Sequence, residues 1–595
     1  MASHDPSTMI AESQATSAMP HRREVDASTT TSMADENDVP GSQDPEKHMH
    51  EHQAKVEDEP EYPHGFKLAV ILSALCLAVF LVALDQTIIS TAIPTITDRF
   101  HSIQDIGWYG SSYLLTTTAL QPTFGRIYTI FSIKHTFLTA IFIFEIGKLS
   151  VGSFRSLVCA TAPSSTALII GRALAGIGVG GLFSGAVVIL AYCLPLRKRP
   201  AAFGLIGGMW GIASVAGPLL GGVFTLPIGA IAMVVIFLVL KINRENNPDN
   251  LSFLKRILQL DLIGMFLIIP TIVCLLLALQ WGGTTYLWKS PTIIGLFIGA
   301  GVLGIMFIAS QLWLGDKGTL PPRFFRDRNM ICAMGFAFFF GAGFFAIIYY
   351  LAIYFQSIQG SSATHAGIQL LPLLITTVIS SIVTGGLITA LGHYTPIMIF
   401  SMVLFSVGAG LITTFNLTTP FGQWFGYQVL AGAGIGVGFQ GAILVCQTVL
   451  PLKDVPVGTA CISFFQSLGG ALFIAVAQTL FQTGLLNGIE KNAPQLDAHL
   501  FLHSGATQIR EILREVGRPQ DLDAVLQAYV DGLTHTYWIT TACAIAALVC
   551  SCCLQWKSVK GEAPGKEMDN HVTSNMEQKG EVDVAKGDAG VDGKF

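Results

Sequence analysis

Fourteen apolar stretches, most of them near twenty residues long, recur between residues 66 and 555. A helix of about 20 residues rises far enough to cross the roughly 30 Å hydrocarbon core of a bilayer. That repetition dictates an all-α polytopic membrane protein. The stretches run approximately over 66–92, 106–124, 136–154, 166–190, 201–222, 227–242, 261–281, 291–314, 331–355, 366–388, 395–415, 424–448, 457–481 and 535–555. Composition agrees, with 51% hydrophobic and only 12% charged residues, against about 25% charged in soluble proteins. An ordinary soluble enzyme is excluded.

The formal charge of −5 hides a division. Residues 1–64 carry 4 basic and 14 acidic side chains, and residues 556–595 carry 6 and 8, so the intervening chain is net positive. Both tails lack apolar periodicity and read as disordered. The positive charges then set orientation. With the N-terminus in the cytoplasm, the inner loops collect Arg126, Lys134, Arg197, Lys198, Arg199, Lys241, Arg244, Lys255, Arg256, Lys317, Arg323, Arg326, Arg328 and Lys453, and the short outer loops hold little beyond Arg99, Arg155 and Lys289. Both termini are expected to be cytoplasmic. The sequon Asn416-Leu417-Thr418 falls outside as a glycosylation candidate, and Asn250-Leu251-Ser252 falls inside. No signal peptide is expected ahead of the first span, and that helix is expected to direct insertion itself.

Several chemistries lack their residues. The chain has no G-x-x-x-x-G-K-[ST] phosphate cradle, so an ATP-driven pump is not supported. Neither a repeated filter nor rings of like charge mark a channel. The eleven cysteines show no disulfide framework and no zinc spacing, and His48, His50 and His52 lie in a solvated tail. No metal, no cofactor and no nucleic-acid partner are expected. Cys552 and Cys553 close the last apolar stretch and are candidates for palmitoylation. Gly- and Pro-punctuated spans with few internal charges are instead the pattern of secondary transporters.

Leu84-Asp85-Gln86-Thr87-Ile88-Ile89-Ser90-Thr91-Ala92-Ile93-Pro94 resembles the L-D-x-T-I-V-x-x-A-x-P signature of the fourteen-span drug:proton antiporters in the major facilitator superfamily. Gly125 to Lys134 stands where that superfamily has its loop 2–3 motif. Arg172 with Gly176 and Gly178 is similar to its helix 4 motif, and Gly204 with Gly217-Pro218-Leu219-Leu220-Gly221-Gly222 is similar to the antiporter motif of helix 5. The likeness includes Tyr349-Tyr350-Leu351-Ala352-Ile353-Tyr354-Phe355-Gln356 and is greatest to fungal toxin-efflux pumps. It implies the major facilitator fold, two six-helix bundles plus two central linker helices. In these terms the chain divides into a tail (1–64), an N-terminal bundle (65–242), a linker with helices 7 and 8 (243–314), five helices of the C-terminal bundle (315–481), a long outer loop (482–534), the last helix (535–555) and a second tail (556–595). The loop 2–3 motif departs from the family, with Tyr128, Thr129, Ile130 and Phe131 in place of its central charges. Lys148 to Arg155 reads as an insertion, and span 6 is short.

The residues have physical readings of their own. A charge inside a span costs about 2.5–3.5 kcal/mol on insertion scales and must face a cavity or a partner, which singles out Arg172. Asp85 lies 19 residues beyond Phe66, about 28 Å up, and Arg172 lies at about 33 Å. Two readings stand for Asp85: a proton-dependent pair with Arg172, or the cap of a helix break. Glu145 falls at about 14 Å, near mid-bilayer, and reads either as a proton-coupling carboxylate or as a structurally bonded one. Gln280, Gln369, Gln440, Gln447, Gln466 and Gln478, with the many Phe and Tyr side chains, suit an apolar cargo bearing carbonyls or hydroxyls. The expected function is export of a hydrophobic small molecule (a toxin, secondary metabolite or drug) in exchange for protons, by a monomer in the plasma membrane or a vacuolar or vesicle membrane. Uptake of a metal chelate or nutrient, or a non-transporting sensor or scaffold, are the alternatives.

Overall fold

The computed structural model describes residues 62–100, 106–149, 164–220, 225–240, 253–283, 286–502 and 509–560. Among them there is no strand. A spanning segment must satisfy its own backbone hydrogen bonds, which the helix does within one segment. Fourteen long helices coincide with the apolar stretches: α1 Gly65–Phe100, α2 Ile106–Ile130, α3 Ile133–Leu149, α4 Ser165–Cys193, α5 Arg199–Leu220, α6 Thr225–Val239, α7 Leu262–Trp281, α8 Pro291–Leu314, α9 Arg328–Ser357, α10 Leu371–Leu391, α11 Thr395–Ile412, α12 Phe421–Val449, α13 Val455–Asn492 and α14 Leu522–Cys552. Ten helices among the described residues are long and apolar enough to cross a membrane.

Short polar side chains fix several starts by accepting a bond from an otherwise unpaired N–H. Ser164 caps α4 at Ala167 N (3.2 Å), Ser290 caps α8 at Ile293 N (3.3 Å) with Pro291 in its first turn, and Asp327 caps α9 at Met330 N (2.9 Å). Asp261 caps α7 at Gly264 N (2.6 Å); its other carboxylate oxygen accepts from Gln311 Nε2 (2.7 Å) and from Thr319 N and Oγ1 (both 2.9 Å). That one buried carboxylate ties α7 to α8 and to the turn after it.

The helices form two groups. In the first, α1 packs on α5, α6 and α4, α4 packs on α2 and α3, and α3 reaches α6. In the second, α9, α11, α12, α13 and α14 pack on one another and α10 lies on α12. The linker pair α7–α8 is central in the chain but peripheral in space. It touches α2 and α13, and Phe266, Ile298, Ile305, Leu312 and Trp313 face outward, as an apolar surface does when lipid is its solvent.

Two lengths differ from the apolar windows. α13 continues from the expected 481 to Asn492, and α14 begins at Leu522 rather than 535. The extensions pack on each other: a Cβ on Gly484 would lie 2.7 Å from Gly532 Cα, and one on Gly488 would lie 2.8 Å from Ala528 Cβ. Within the expected outer loop, Ile509–Glu515 is a separate short helix with Ile509 and Leu513 buried, whereas Leu522, Val525, Leu526 and Tyr529 belong to α14 itself. Span 10 is interrupted, because a short helix Ala363–Gln369 ends just before α10 begins at Leu371-Pro372. α6 has 15 residues, about 22 Å of rise; its Pro227 sits in the first turn, where no intrahelical N–H is needed.

Outside the described residues lie most of both tails with the His48, His50 and His52 cluster, the far part of the 148–155 insertion, Gly221 and Gly222, and the Asn250 sequon.

Candidate functional site

Arg172 on α4 is held on three sides. Its Nη1 donates to Asp85 Oδ2 of α1 at 2.6 Å and its Nε donates to the Tyr109 carbonyl of α2 at 3.0 Å. The guanidinium lies over the Tyr113 ring, 4.4 Å from the centroid. The arginine side chain is 5% exposed and the aspartate 15%. Of the two readings of Asp85, the helix-break cap does not describe this geometry, because α1 runs unbroken through it to Phe100. A fork-shaped cation is required here, since two nitrogens bond in different directions while the flat face covers a ring.

The glycines of α4 let this arrangement form. A Cβ on Gly176 would collide with Thr116 Oγ1 and the Tyr113 carbonyl of α2, and one on Gly178 would lie 2.6 Å from Phe144 N of α3. Helix contact this close brings hydroxyls to backbone carbonyls, as small residues allow. Thr116 Oγ1 donates to Ala173 O (2.9 Å), Thr117 Oγ1 to Gly176 O (3.0 Å) and Tyr128 OH to Gly181 O (2.9 Å). Tyr128, one of the residues filling the charge positions of the loop 2–3 motif, is thus a helix-packing residue.

Glu145 stands differently from the sequence arithmetic. Helices α3 and α4 run antiparallel, with Gly185 against Phe137, Gly181 against Ala140, Gly178 against Phe144, and Gly147 against Gly171 and Ala175. This register carries Glu145 to within about one turn, ~6 Å along the axis, of Arg172, where counting from Thr136 had kept it far below. Lys148 lies in the last turn of α3 and donates to Glu145 Oε1 at 3.1 Å; the rest of the expected 148–155 insertion, beyond Leu149, lies outside the described residues.

The two groups meet at the end where Arg126, Lys134, Arg199, Arg323 and Lys453 gather, here called the basic end. A Cβ on Gly125 of α2 would lie 2.5 Å from Ala460 Cβ of α13. Gly204 of the expected helix 5 motif faces the Ser381 carbonyl of α10, 2.9 Å from a hypothetical Cβ, and Gly385 of α10 faces the Pro200 carbonyl at 2.5 Å. Arg199 Nη1 donates to Gln447 Oε1 of α12 (3.3 Å), and Gln440 Nε2 donates to Phe203 O of α5. Arg126 Nη2 donates to Asp316 O (2.9 Å), while Arg323 reaches Asp454 (2.7 Å) and Asp316 (3.4 Å). Gly217 and Pro218 lie in the last turn of α5.

Farther from the basic end, the interface is aromatic. Trp210 of α5 contacts Phe344 of α9 (centroids 5.7 Å apart) and Phe439 of α12 (5.4 Å). Trp210, Phe344, Phe439, Thr377 and Ser381 help to line a cavity of about 10 Å³, room for one water at most. The structure is therefore closed between the two groups from the basic end up to this cluster. Of the glutamines, Gln440 and Gln447 join the groups, whereas Gln369 bonds Gln359 (2.7 Å) beside its own helix. Sequence reasoning missed Tyr109, Tyr113 and Trp210, since an aromatic residue in a span carries no signal until its neighbours are known. Asn416 is exposed in the turn between α11 and α12, its Oδ1 accepting from Thr418 N at 2.9 Å. Cys552 and Cys553 are both exposed at the end of α14. No group of three or more metal-ligating side chains occurs among the described residues.

Two helix groups meeting face to face, with an ion pair buried in one and an aromatic cluster between them, define a membrane transporter. The chain belongs to the Major Facilitator Superfamily, whose model matches residues 75–474. It is 50% identical over 510 residues to the MFS-type efflux pump MFS1 of Arthroderma benhamiae, covering 84% of this chain and 93% of that one. It is 46% identical over 500 residues to the efflux pump roqT of Penicillium rubens (82% and 90%) and 43% identical over 509 residues to the efflux pump aflT of Aspergillus parasiticus (83% and 97%). Among solved structures, the proton:xylose symporter XylE bound to 6-bromo-6-deoxy-D-glucose superposes with a TM-score of 0.50 at 14% identity, over 81% of this chain and 94% of that one. That likeness concerns the fold.

Proposed function

We propose that this chain exports a hydrophobic small molecule, a secondary metabolite, toxin or drug, in exchange for protons by alternating access. The observation that carries the reading is the Asp85–Arg172 pair. A carboxylate bonded at 2.6 Å to a guanidinium that is itself anchored on α2 is a joint between α1 and the α2–α4 unit, and one proton opens it. Protonated Asp85 has no charge to hold Nη1, while Arg172 keeps its bond to Tyr109 and its place over Tyr113. The proton thereby biases two arrangements of α1, as differential binding to two states requires. Cargo then enters where Trp210, Phe344 and Phe439 part, an apolar wall with Gln440 close by as a polar anchor. The efflux function of the relatives and the absence of a phosphate cradle in the sequence support the reading.

In the same reading the protein crosses the membrane fourteen times as a monomer, with the basic end and both termini in the cytoplasm, and sits in the plasma membrane. Gly204, Gly217 and Pro218, with Gly221 and Gly222 beyond the described part of α5, are read as the antiporter motif that the sequence resembles. A protonophore tests the energy source. Cells expressing the chain and loaded with a fluorescent apolar dye are expected to lose efflux when the proton gradient collapses; efflux that survives this but stops on ATP depletion alone would exclude proton exchange.

Topology has a separate test. A glycan on Asn416 in the turn between α11 and α12 places that end outside. Endoglycosidase treatment is expected to lower the apparent mass of the mature chain, and Asn416→Gln to abolish the shift. A C-terminal tag cleaved by protease added to sealed cells would overturn the orientation whatever the glycan does.

A further inference from the structure

The cycle proposed above leaves one buried ion pair unused. Lys148 Nζ and Glu145 Oε1 are 3.1 Å apart on consecutive turns of α3, with side chains 6% and 9% exposed. The ammonium also lies over the Phe144 ring, 4.3 Å from its centroid. Glu145 Oε2 is buried and has no hydrogen-bond partner among the described residues. A buried ion pair offsets the cost of leaving water only when its remaining lone pairs are also satisfied. Here half of the carboxylate is not.

The surroundings show a built seat. On one side the carboxyl fills the notch left by Gly229 of α6, where any Cβ would fall on Glu145 Oε1. Between the two charges, Gly147 nests on the backbone of α4 at Gly171 and Ala175, next to Arg172. Among the described residues, Lys148 on the same helix is the ionisable group bonded to Glu145. Asp85 of α1 and Arg172 of α4, about one turn away, are paired with each other, with Tyr113 of α2 under the guanidinium. The described part of α6 supplies no ionisable group.

We propose that Glu145 is a second proton-exchange site, so that each transport cycle moves a proton at Asp85 and another at Glu145. This rests on the proton-exchange reading above. The proton adds to Oε2, the unfilled oxygen. Lys148 keeps its own proton, and its bond to Oε1 changes from a salt bridge to an ordinary hydrogen bond. The carboxyl packs against Gly229 of α6, so this proton arrives at the α3–α6 seam, whereas loss of the Asp85 charge loosens α1 from α4. The two events share one level of the bundle and one helix, α4, between them.

The test reads the carboxyl itself and needs no cargo. Infrared difference spectra of the purified full-length chain in lipid, alkaline minus acid, are expected to contain a buried protonated-carboxyl C=O band that Glu145→Gln removes and that Glu145→Asp restores at a displaced frequency. A second band is expected to vanish in Asp85→Asn. Elution as a single species checks that each variant is folded. A Glu145→Gln spectrum identical to that of the parent would show a fixed charge and overturn the proposal. If instead the Glu145 band is present but efflux ignores a protonophore, the proton-exchange reading fails while the titrating site stands.

Discussion

Arg172→Ala is expected to reduce proton-driven export to the level of cells lacking the protein, with its amount in the membrane unchanged. The substitution strands Asp85. Breaking a buried pair by removing one partner costs about 3–5 kcal/mol, because the other charge is left uncompensated. The carboxyl avoids that cost by holding a proton permanently. A permanently protonated Asp85 no longer reports the gradient, so the joint between α1 and α4 stays open. Arg172→Lys separates charge from shape: an ammonium keeps the charge but does not reach Tyr109 O and Asp85 Oδ2 in the directions the fork does, at 3.0 and 2.6 Å. Its export is expected to fall by roughly tenfold or more, which is about 1.4 kcal/mol of lost coupling. Dye efflux beside quantified membrane expression decides the matter. Full export by the alanine variant would make Arg172 a packing residue.

How much of this was legible depends on the range of the interaction involved. Helix starts are local, so Ser290-Pro291 and the apolar run after Asp261 reveal α8 and α7 directly. The Asp85–Arg172 level came from rise arithmetic, because both helices are long and nearly whole. The same arithmetic failed for Glu145, since the register of α3 on α4 is set by which glycines receive which side chains. Gly178 and Gly181 are visible in the sequence, but their partners Phe144 and Ala140 are not marked by anything nearby. Hydropathy also hid the true ends of α13 and α14. Their extensions carry polar residues such as Asn487, Glu490, Gln527 and Asp531, and stay helical because Gly484 and Gly488 pair them with Gly532 and Ala528. The contacts between the two groups, Arg199 with Gln447 and Gln440 with Phe203, join residues more than two hundred positions apart. No local pattern announces them.

Those contacts make the second large effect. Gly385→Val is expected to disfavour closure at the basic end about tenfold and to slow export with it. The added Cβ would lie 2.5 Å from the Pro200 carbonyl oxygen and 3.3 Å from Gly204 Cα. Both are backbone atoms, which do not turn aside as a side-chain tip does, so α5 and α10 must separate. Overpacking of this kind costs about 1–3 kcal/mol, and it falls only on the state in which the helices touch. Each 1.4 kcal/mol shifts the balance of the two states about tenfold toward the one open at the basic end. The neighbouring Gly386 supplies the control, since a Cβ there meets nothing within 4 Å; Gly386→Val should export normally. Cys461 gives an independent readout of the opening. It is 1% exposed beside Ala460, where α13 meets Gly125 of α2. In a chain retaining Cys461 as its sole thiol, a maleimide applied from the basic side should label the Gly385→Val variant roughly tenfold faster than its parent, the same ratio as the population shift. Equal labelling rates together with intact export would mean that the α5–α10 contact does not change during transport, and that the two groups part along some other seam.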